Sequence, residues 1–394
     1  MGLTRMNTGQ RIDRDFVLDL LKDMVATNSV NPTVGRGPGE SALSNLIFDR
    51  LTSIGSLEVR KQPVADDRSN VIAVLKGSGG GRSLMLNGHM DTVGIDGMTI
   101  EPFKPSIEND QLHGRGACDM KGALAAMIGA VKSLVDSRSK LRGDLVFSAV
   151  VDEEYKSAGI KKLVEKYRTD AAIVGEPSEM KVAAAHKGFV WIEIEIKGKA
   201  AHGSVPEKGV DAIVHAAKVI ARLEKLQEKL GTNVHPLLGT PKIHTSTIEG
   251  GTDWSIVPER CLLKLERRTL PAETTSSVME EINHLLKVTK QETADFDAKA
   301  SSAYDMPALD TAPTETVVRL AQETIAEITG VKSPVIGLPY WTDGALISQQ
   351  ASTPTCIFGP GDIRVAHSAD EFISIHEVLK SAEIYCGIAR SFCS

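Results

Sequence analysis

Short apolar runs that hold their charged residues back until the last positions recur through the first half of the chain. Leu84, Met85 and Leu86 lead into Asn87-Gly88 and then His89 and Asp91. The run from Asp144 to Val151 ends in Asp152-Glu153-Glu154, and Ala171 to Val174 ends in Gly175-Glu176-Pro177. Helical patterns lie between them, as in Leu124, Met127, Ile128, Val131 and Leu134 after Asp119. Continuous apolar runs of this length read as strands buried on both faces, and their alternation with helices predicts an α/β sheet. In such a sheet, polar groups at strand ends converge on a ligand site. The same reading predicts a helix over residues 12–27, with Phe16, Leu20, Leu21 and Met24 inward, a strand over 70–75 and a short helix over 161–167. Toward the end it predicts a helix over 314–329, a strand around 356–358 and a helix from His376.

The texture changes near Gly188. Ile192, Ile194 and Ile196 alternate with Glu193, Glu195 and Lys197, the pattern of a half-solvated strand. A helix bearing Ile213, Ala217, Ile220, Leu223 and Leu230 follows, then strands near 243–248 and 261–267, a helix with Val278, Ile282 and Leu285, and a strand around Phe296 and Ala298. The order is β-α-β-β-α-β, a split βαβ unit with two helices on one sheet face. It reads as a domain of residues 188–305 inserted into one formed by 1–187 and 306–394, with His186-Lys187-Gly188 marking the crossing.

Composition narrows the function. The 394 residues carry a formal net charge of -6, so no basic footprint points to nucleic acid. No apolar run approaches the length that spans a bilayer. The stretch MGLTRMNTGQR has no hydrophobic signal core, and Met6 stands where a myristoylation signal needs Ser or Thr. The five cysteines, at 118, 261, 356, 386 and 393, are odd in number and scattered. These features together predict a reduced, cytoplasmic protein without a membrane partner.

Five residues able to bind a metal stand at predicted strand ends or loops: His89, Asp119, Glu154, Glu176 and His367. Each has an ordinary alternative. Asp119 could cap a helix, Glu176 could be a solvated turn residue, His367 an exposed loop histidine, and Glu153 and Glu154 an acidic surface pair. All of these alternatives would have to hold together. Two imidazoles with three carboxylates suit a pair of divalent ions, zinc first, with cobalt or manganese also possible. One bridging carboxylate would hold such ions about 3.5–4 Å apart. Adjacent residues in extended backbone point to opposite sides, so Glu153 and Glu154 are assigned separate roles, one of them a free general base. Cys118 as a nucleophile is a competing chemistry, but no Cys-His signature accompanies it and a small buried thiol is the simpler reading. A binding protein without activity is a third possibility, and the free carboxylate beside a full ligand set argues against it.

NGHMDTV, GRGACDMKG, VDEEY, GEPSE and AHSADEF, in this order, closely resemble the metallohydrolase family of acetylornithine deacetylase, succinyl-diaminopimelate desuccinylase, aminoacylase and glutamate carboxypeptidase. The likeness extends over nearly the whole chain. It implies that His89 and Glu176 serve one metal ion, Glu154 and His367 the other, and that Asp119 bridges them through a turn with a cis peptide to Met120. Asp91 would orient His89, and Glu153 would be the general base. The inserted domain resembles the family's lid and dimerisation domain. In KAAHGSVP, His202 matches a histidine that reaches the partner subunit's site and stabilises an oxyanion. Arg268, in ERRTLP, matches an arginine that binds the substrate carboxylate, with Glu266 in place of a more usual Asp. Ser255 stands where many relatives carry Asn, and Thr342-Asp343-Gly344 would border the substrate pocket, with Gly344 as a contact. The resemblance therefore implies a homodimeric hydrolase of N-acyl amino acids, with a dipeptidase or carboxypeptidase as the alternative.

Overall fold

The computed structural model describes residues 12–394. The reading of the stretch MGLTRMNTGQR lies outside the described residues. The chain divides into two compact units. One comprises residues up to Ala184 with Thr311–Ile336 and Thr342–Ser394, and the other comprises Ala185–Asp310 with Gly337–Trp341.

The first unit is built on a mixed sheet. Its strands run side by side in the order Glu58–Ala65, Arg68–Leu75, Leu145–Val150, Leu84–His89, Ala171–Val174 and Thr355–Ile357. The last four are mutually parallel, with Leu84 beside both Leu145 and Ala171, and Cys356 beside Ile173. Parallel strands of this kind are buried on both faces. Leu145–Val150 and Ala171–Val174 are buried throughout, which explains why they read as unbroken apolar runs. Helices flank the sheet. Gly122–Asp136 packs against the closing helix Ile375–Phe392, which also packs against Thr316–Thr329.

Several local expectations shift. In Arg14–Ala26 it is Val17, with Leu20, Leu21 and Met24, that is buried, while Phe16 is half-buried with the Lys132 ammonium 5.4 Å from its ring centre. The helix expected over 161–167 lies at Ala158–Val164. Ser41–Ile54 is a helix and Glu58–Ala65 an edge strand, neither read from the pattern. A small sheet of Ser106–Glu108, Gln111–His113 and Phe372–Ser374 was also not anticipated, and it pairs Phe372 with His113.

The second unit holds an antiparallel sheet in the order Lys242–Gly250, Arg260–Thr269, Gly188–Lys197 and Asp297–Met306. With the helices Ala212–Leu230 and Thr275–Glu292 this is the β-α-β-β-α-β order. Ile192, Ile194, Ile196, Leu263 and Leu265 form one core with Val219, Leu223, Val278 and Ile282 from the helices. The alternate residues, Trp191, Glu193 and Glu195, lie on the other face, as the period of two requires.

Candidate metal centre

The ends of the parallel strands bring the first unit's acidic and imidazole residues together. His89 is the last residue of Leu84–His89, and Glu176 follows Ala171–Val174 two residues on. Asp119 sits in the irregular turn Ala117–Lys121, with non-helical backbone angles and a cis peptide to Met120. It does not cap a helix, since Lys121 holds that position for Gly122–Asp136. Glu153 and Glu154 lie in a turn that begins at Asp152, whose φ is 72°. They are not in extended backbone, so it is the turn that separates their side chains.

The geometry centres on Asp119. Its Oδ1 is 2.9 Å from His89 Nε2, and its Oδ2 is 3.2 Å from His367 Nε2. His367 Nε2 also lies 3.2 Å from Glu154 Oε1, and His89 Nε2 lies 3.5 Å from Glu176 Oε1. Two overlapping clusters result. In one, a single ligand atom from each of His89, Asp119 and Glu154 lies within 4.8 Å of the others, and in the other so does one from each of His89, Glu153 and Glu176. One carboxylate thus faces two imidazoles through its two oxygens.

Carboxylates outnumber imidazoles in this group, largely buried except at His367, whose side chain is 49% exposed, and the proton affinities show it. Burial raises Glu153 well above the ordinary carboxylate value; His89 opposes this, while Glu176 and Asp343 add to it. Burial and the Asp119 charge do the same to Glu176. Burial would lower His367, yet Asp119 and Glu154 hold it at about 11. His89 is likewise held well above its usual value by Glu176 and Asp119, against burial. Burial would raise Asp119, but the hydrogen bonds to His367 and His89 outweigh it and hold the carboxyl below the usual range. Such a set gains from positive charge placed among the carboxylates. Among the described residues Glu176 Oε1 has no hydrogen-bond partner although it is buried, which suits a ligand oxygen. Oxygen and imidazole donors in this proportion fit divalent ions.

Asp91 is arranged differently from the expectation. His89 Nδ1 pairs with the Asp91 backbone carbonyl at 2.9 Å, and the carboxylate is 3.7 Å away. The carboxylate instead accepts the amides of Glu153 and Glu154, each at 3.1 Å, and the Asn31 side-chain amide at 2.8 Å. Asn31 was not singled out in the sequence as part of the metal centre. Neither was Asp343. It is buried, pushed up to about 7 chiefly by that burial, and feels the charge of His89 and Asp91. Gly344 is buried at the start of the helix Gly344–Ala351, its amide bonded to Thr342 Oγ1. Gly359 approaches the Glu176 strand end so closely that the amides of Ser178 and Met180 both reach its carbonyl.

The remaining candidates lie in the second unit. Arg268 is half-buried, 2.9 Å from Glu266 and 5.5 Å from the Phe189 ring centre. His202 is exposed, and the Ser204 amide donates to its Nδ1, which leaves Nε2 as the N–H donor. The Ser255 carbonyl holds the same loop through the amide of Gly203. Cys118 is buried, and burial pushes its thiol far above the range of a nucleophilic thiolate.

A mixed sheet that gathers imidazoles and carboxylates at its strand ends is the framework of a hydrolase that works through bound ions. Comparison with known proteins agrees. The model of peptidase family M20/M25/M40 matches residues 85–391. An acetylornithine deacetylase of Proteus mirabilis is 30% identical over 385 residues, covering 95% of this chain and 96% of its own. The structure of aminopeptidase PepT from Bacillus cereus superposes with a TM-score of 0.81 at 24% identity, covering 97% of this chain and all of that one. A dinuclear metal-binding M20 peptidase from Bacillus subtilis superposes with a TM-score of 0.74 at 18% identity, over 96% and 98% of the two chains. The chain belongs to peptidase family M20/M25/M40 and is a hydrolase of amide bonds.

Proposed function

We propose that this protein removes the acyl group from an N-acyl amino acid, using two divalent ions held by His89, Asp119, Glu154, Glu176 and His367. The observation that carries the reading is the division of the Asp119 carboxylate, one oxygen at His89 and the other at His367. In this assignment His89 and Glu176 hold one ion, Glu154 and His367 the other, and Asp119 both. Zinc is the ion proposed first, with cobalt and manganese as alternatives for the same donors. Bound ions supply Lewis acidity to a water molecule and to the scissile carbonyl. Glu153 takes the proton from the attacking water and delivers it to the leaving amine nitrogen. A carboxylate not assigned to either ion is free to accept and return a proton. Asp91 sets the position of Glu153 and Glu154 through their amides.

The second unit supplies the lid and the dimer contact in this proposal. His202 of the partner subunit donates from Nε2 to the developing oxyanion. Arg268 receives the substrate carboxylate; its five N–H groups exceed what Glu266 can occupy. Ser255 and Gly344 complete the substrate contacts, and the protein works in the cytoplasm as a homodimer. The likeness to an acetylornithine deacetylase supports the acyl-amino-acid class. The test is a panel of N-acetylornithine, N-succinyl-diaminopimelate, N-carbamoyl amino acids and dipeptides, assayed with zinc, cobalt and manganese. Release of free amine from an N-acyl amino acid is expected. Turnover of dipeptides alone would replace the reading with a dipeptidase, and no turnover of any substrate would overturn it.

A further inference from the structure

The segment that carries His367 also carries a fully buried carboxylate, Glu371, four residues on. Its Oε1 accepts the backbone amides of Cys118 at 2.9 Å and Asp119 at 3.0 Å. Its Oε2 accepts the Gly116 amide at 2.9 Å and Arg115 Nη1 at 2.8 Å. The Glu371 carbonyl takes the Gly114 amide at 3.0 Å. Arg115 is anchored in turn, its Nε donating to the Gly94 carbonyl at 3.1 Å. One side chain therefore satisfies three backbone donors of this turn, those of Gly116, Cys118 and Asp119. Left unpaired in a buried place, each would cost about 1–3 kcal/mol.

The pairing of Phe372 with His113 lies directly behind this contact and fixes the register between the two segments. His367 and Glu371 therefore converge on the same residue from one short stretch of chain. His367 meets the Asp119 side chain, and Glu371 meets its backbone N–H. Moving either partner would change how the Asp119 oxygens divide between the two imidazoles.

We propose that Glu371 is a positioning residue. It locks the Asp119 turn to the His367 segment, so that the bridging carboxylate and the ligand from the late segment form one preset half of the centre. This rests on the two-ion reading above. It differs from a merely structural role in what its loss would do. A structural carboxylate would lower stability equally with and without ions. A positioning carboxylate would weaken the ion that depends on both Asp119 and His367.

The test uses Glu371→Gln, nearly identical in shape but with a donor in place of one acceptor. Wild-type protein and variant, each stripped of metal, are titrated with cobalt(II). Stoichiometry, the two affinities and the visible spectrum of the bound ion are recorded, together with thermal midpoints with and without cobalt. Wild type is expected to bind two ions. The variant is expected to bind one ion as wild type does and the other about 10- to 100-fold more weakly, with an altered spectrum and a smaller cobalt-dependent rise in midpoint. Its kcat should fall more than its KM rises. Glu371→Asp keeps the charge but is one methylene too short to reach all four donors, and the same shift is expected from it. This second variant carries the test if the first does not fold. Two ions bound at wild-type affinity and with the wild-type spectrum in either variant would overturn the proposal. Wild-type protein that binds fewer than two ions would instead overturn the metal assignment on which it rests.

Discussion

Two turns carry most of the acidic residues of the centre, and each is fastened by a buried carboxylate from another part of the chain. Glu371 takes the amides of Gly116, Cys118 and Asp119; Asp91 takes those of Glu153 and Glu154. They differ in how the charge of the fastening group is met. Glu371 faces the Arg115 guanidinium, itself tied to Gly94. Asp91 accepts from the neutral side-chain amide of Asn31, which it shares with Asp152, and the nearest cationic group, the His89 ring, lies 3.7 Å away. The nearest guanidinium in that network, Arg68, is spent on Glu40 and Asp152. Both carboxylates make charge-assisted bonds to backbone amides, and the guanidinium adds to those of Glu371 a bond in which both partners are charged. The turn bearing Asp119 is therefore the more firmly set, its carboxylate taking three amides and a guanidinium, and the turn bearing Glu153 and Glu154, held by two amides and a neutral side chain, is the more yielding. A bridging group is served by a fixed position. A base that accepts and returns a proton is served by some freedom.

The largest effect that bears on this contrast is at the base itself. Glu153→Ala should keep its metal content and lose roughly 100- to 10,000-fold in kcat. Metal analysis beside steady-state kinetics checks this, and an unchanged rate would remove the base from the yielding turn. Asp91→Ala should come next, with about a 10- to 100-fold loss in turnover, because both amides lose their acceptor. If metal affinity there falls as far as in Glu371→Gln, the contrast between the two turns fails. Asn31→Ala should be milder. It removes a buried neutral donor, for which about 1–3 kcal/mol of stability is expected to be lost, read as a lower midpoint in thermal or urea unfolding. A midpoint equal to wild type would mean that Asp91 holds its turn unaided. Cys118→Ala should leave kcat unchanged, since its contribution to the firm turn is through the backbone amide. Loss of turnover would point back to the thiol.

Much of the centre can be read in the chain because its residues sit where the apolar pattern stops. His89, Glu154 and Glu176 each follow a run that the parallel sheet buries on both faces. The residues that hold them in place leave less: Asp91 stands at the end of such a run, but what it holds is not written there. Glu371 and Asp91 act on backbone amides, and an amide has no letter in the sequence. Asn31 stands beyond the end of the first helix, which Thr27 caps, and its use appears only once residue 91 lies beside it. The three-residue strands at 106–108, 111–113 and 372–374 are too short to show an alternation. Glu58–Ala65 is an edge strand of largely exposed residues, so it has no apolar face to announce it. Ser41–Ile54 is another matter. Leu43, Ile47 and Leu51 repeat at a helical spacing, and that signal was present but not read. The separation of Glu153 from Glu154 was inferred from strand geometry and arises from a turn.

Gly359 offers a way to alter this centre without touching any of its donor atoms. A Cβ there would lie 2.2 Å from the Gly175 carbonyl oxygen and 2.6 Å from that of Glu176. Both obstacles are main chain and cannot rotate aside. An alanine at this position would work as a wedge, driving the chain at 175–176 away from its neighbour while leaving every side chain of the cluster chemically intact. The protein has thus made the whereabouts of one carboxylate hostage to a single missing methyl group.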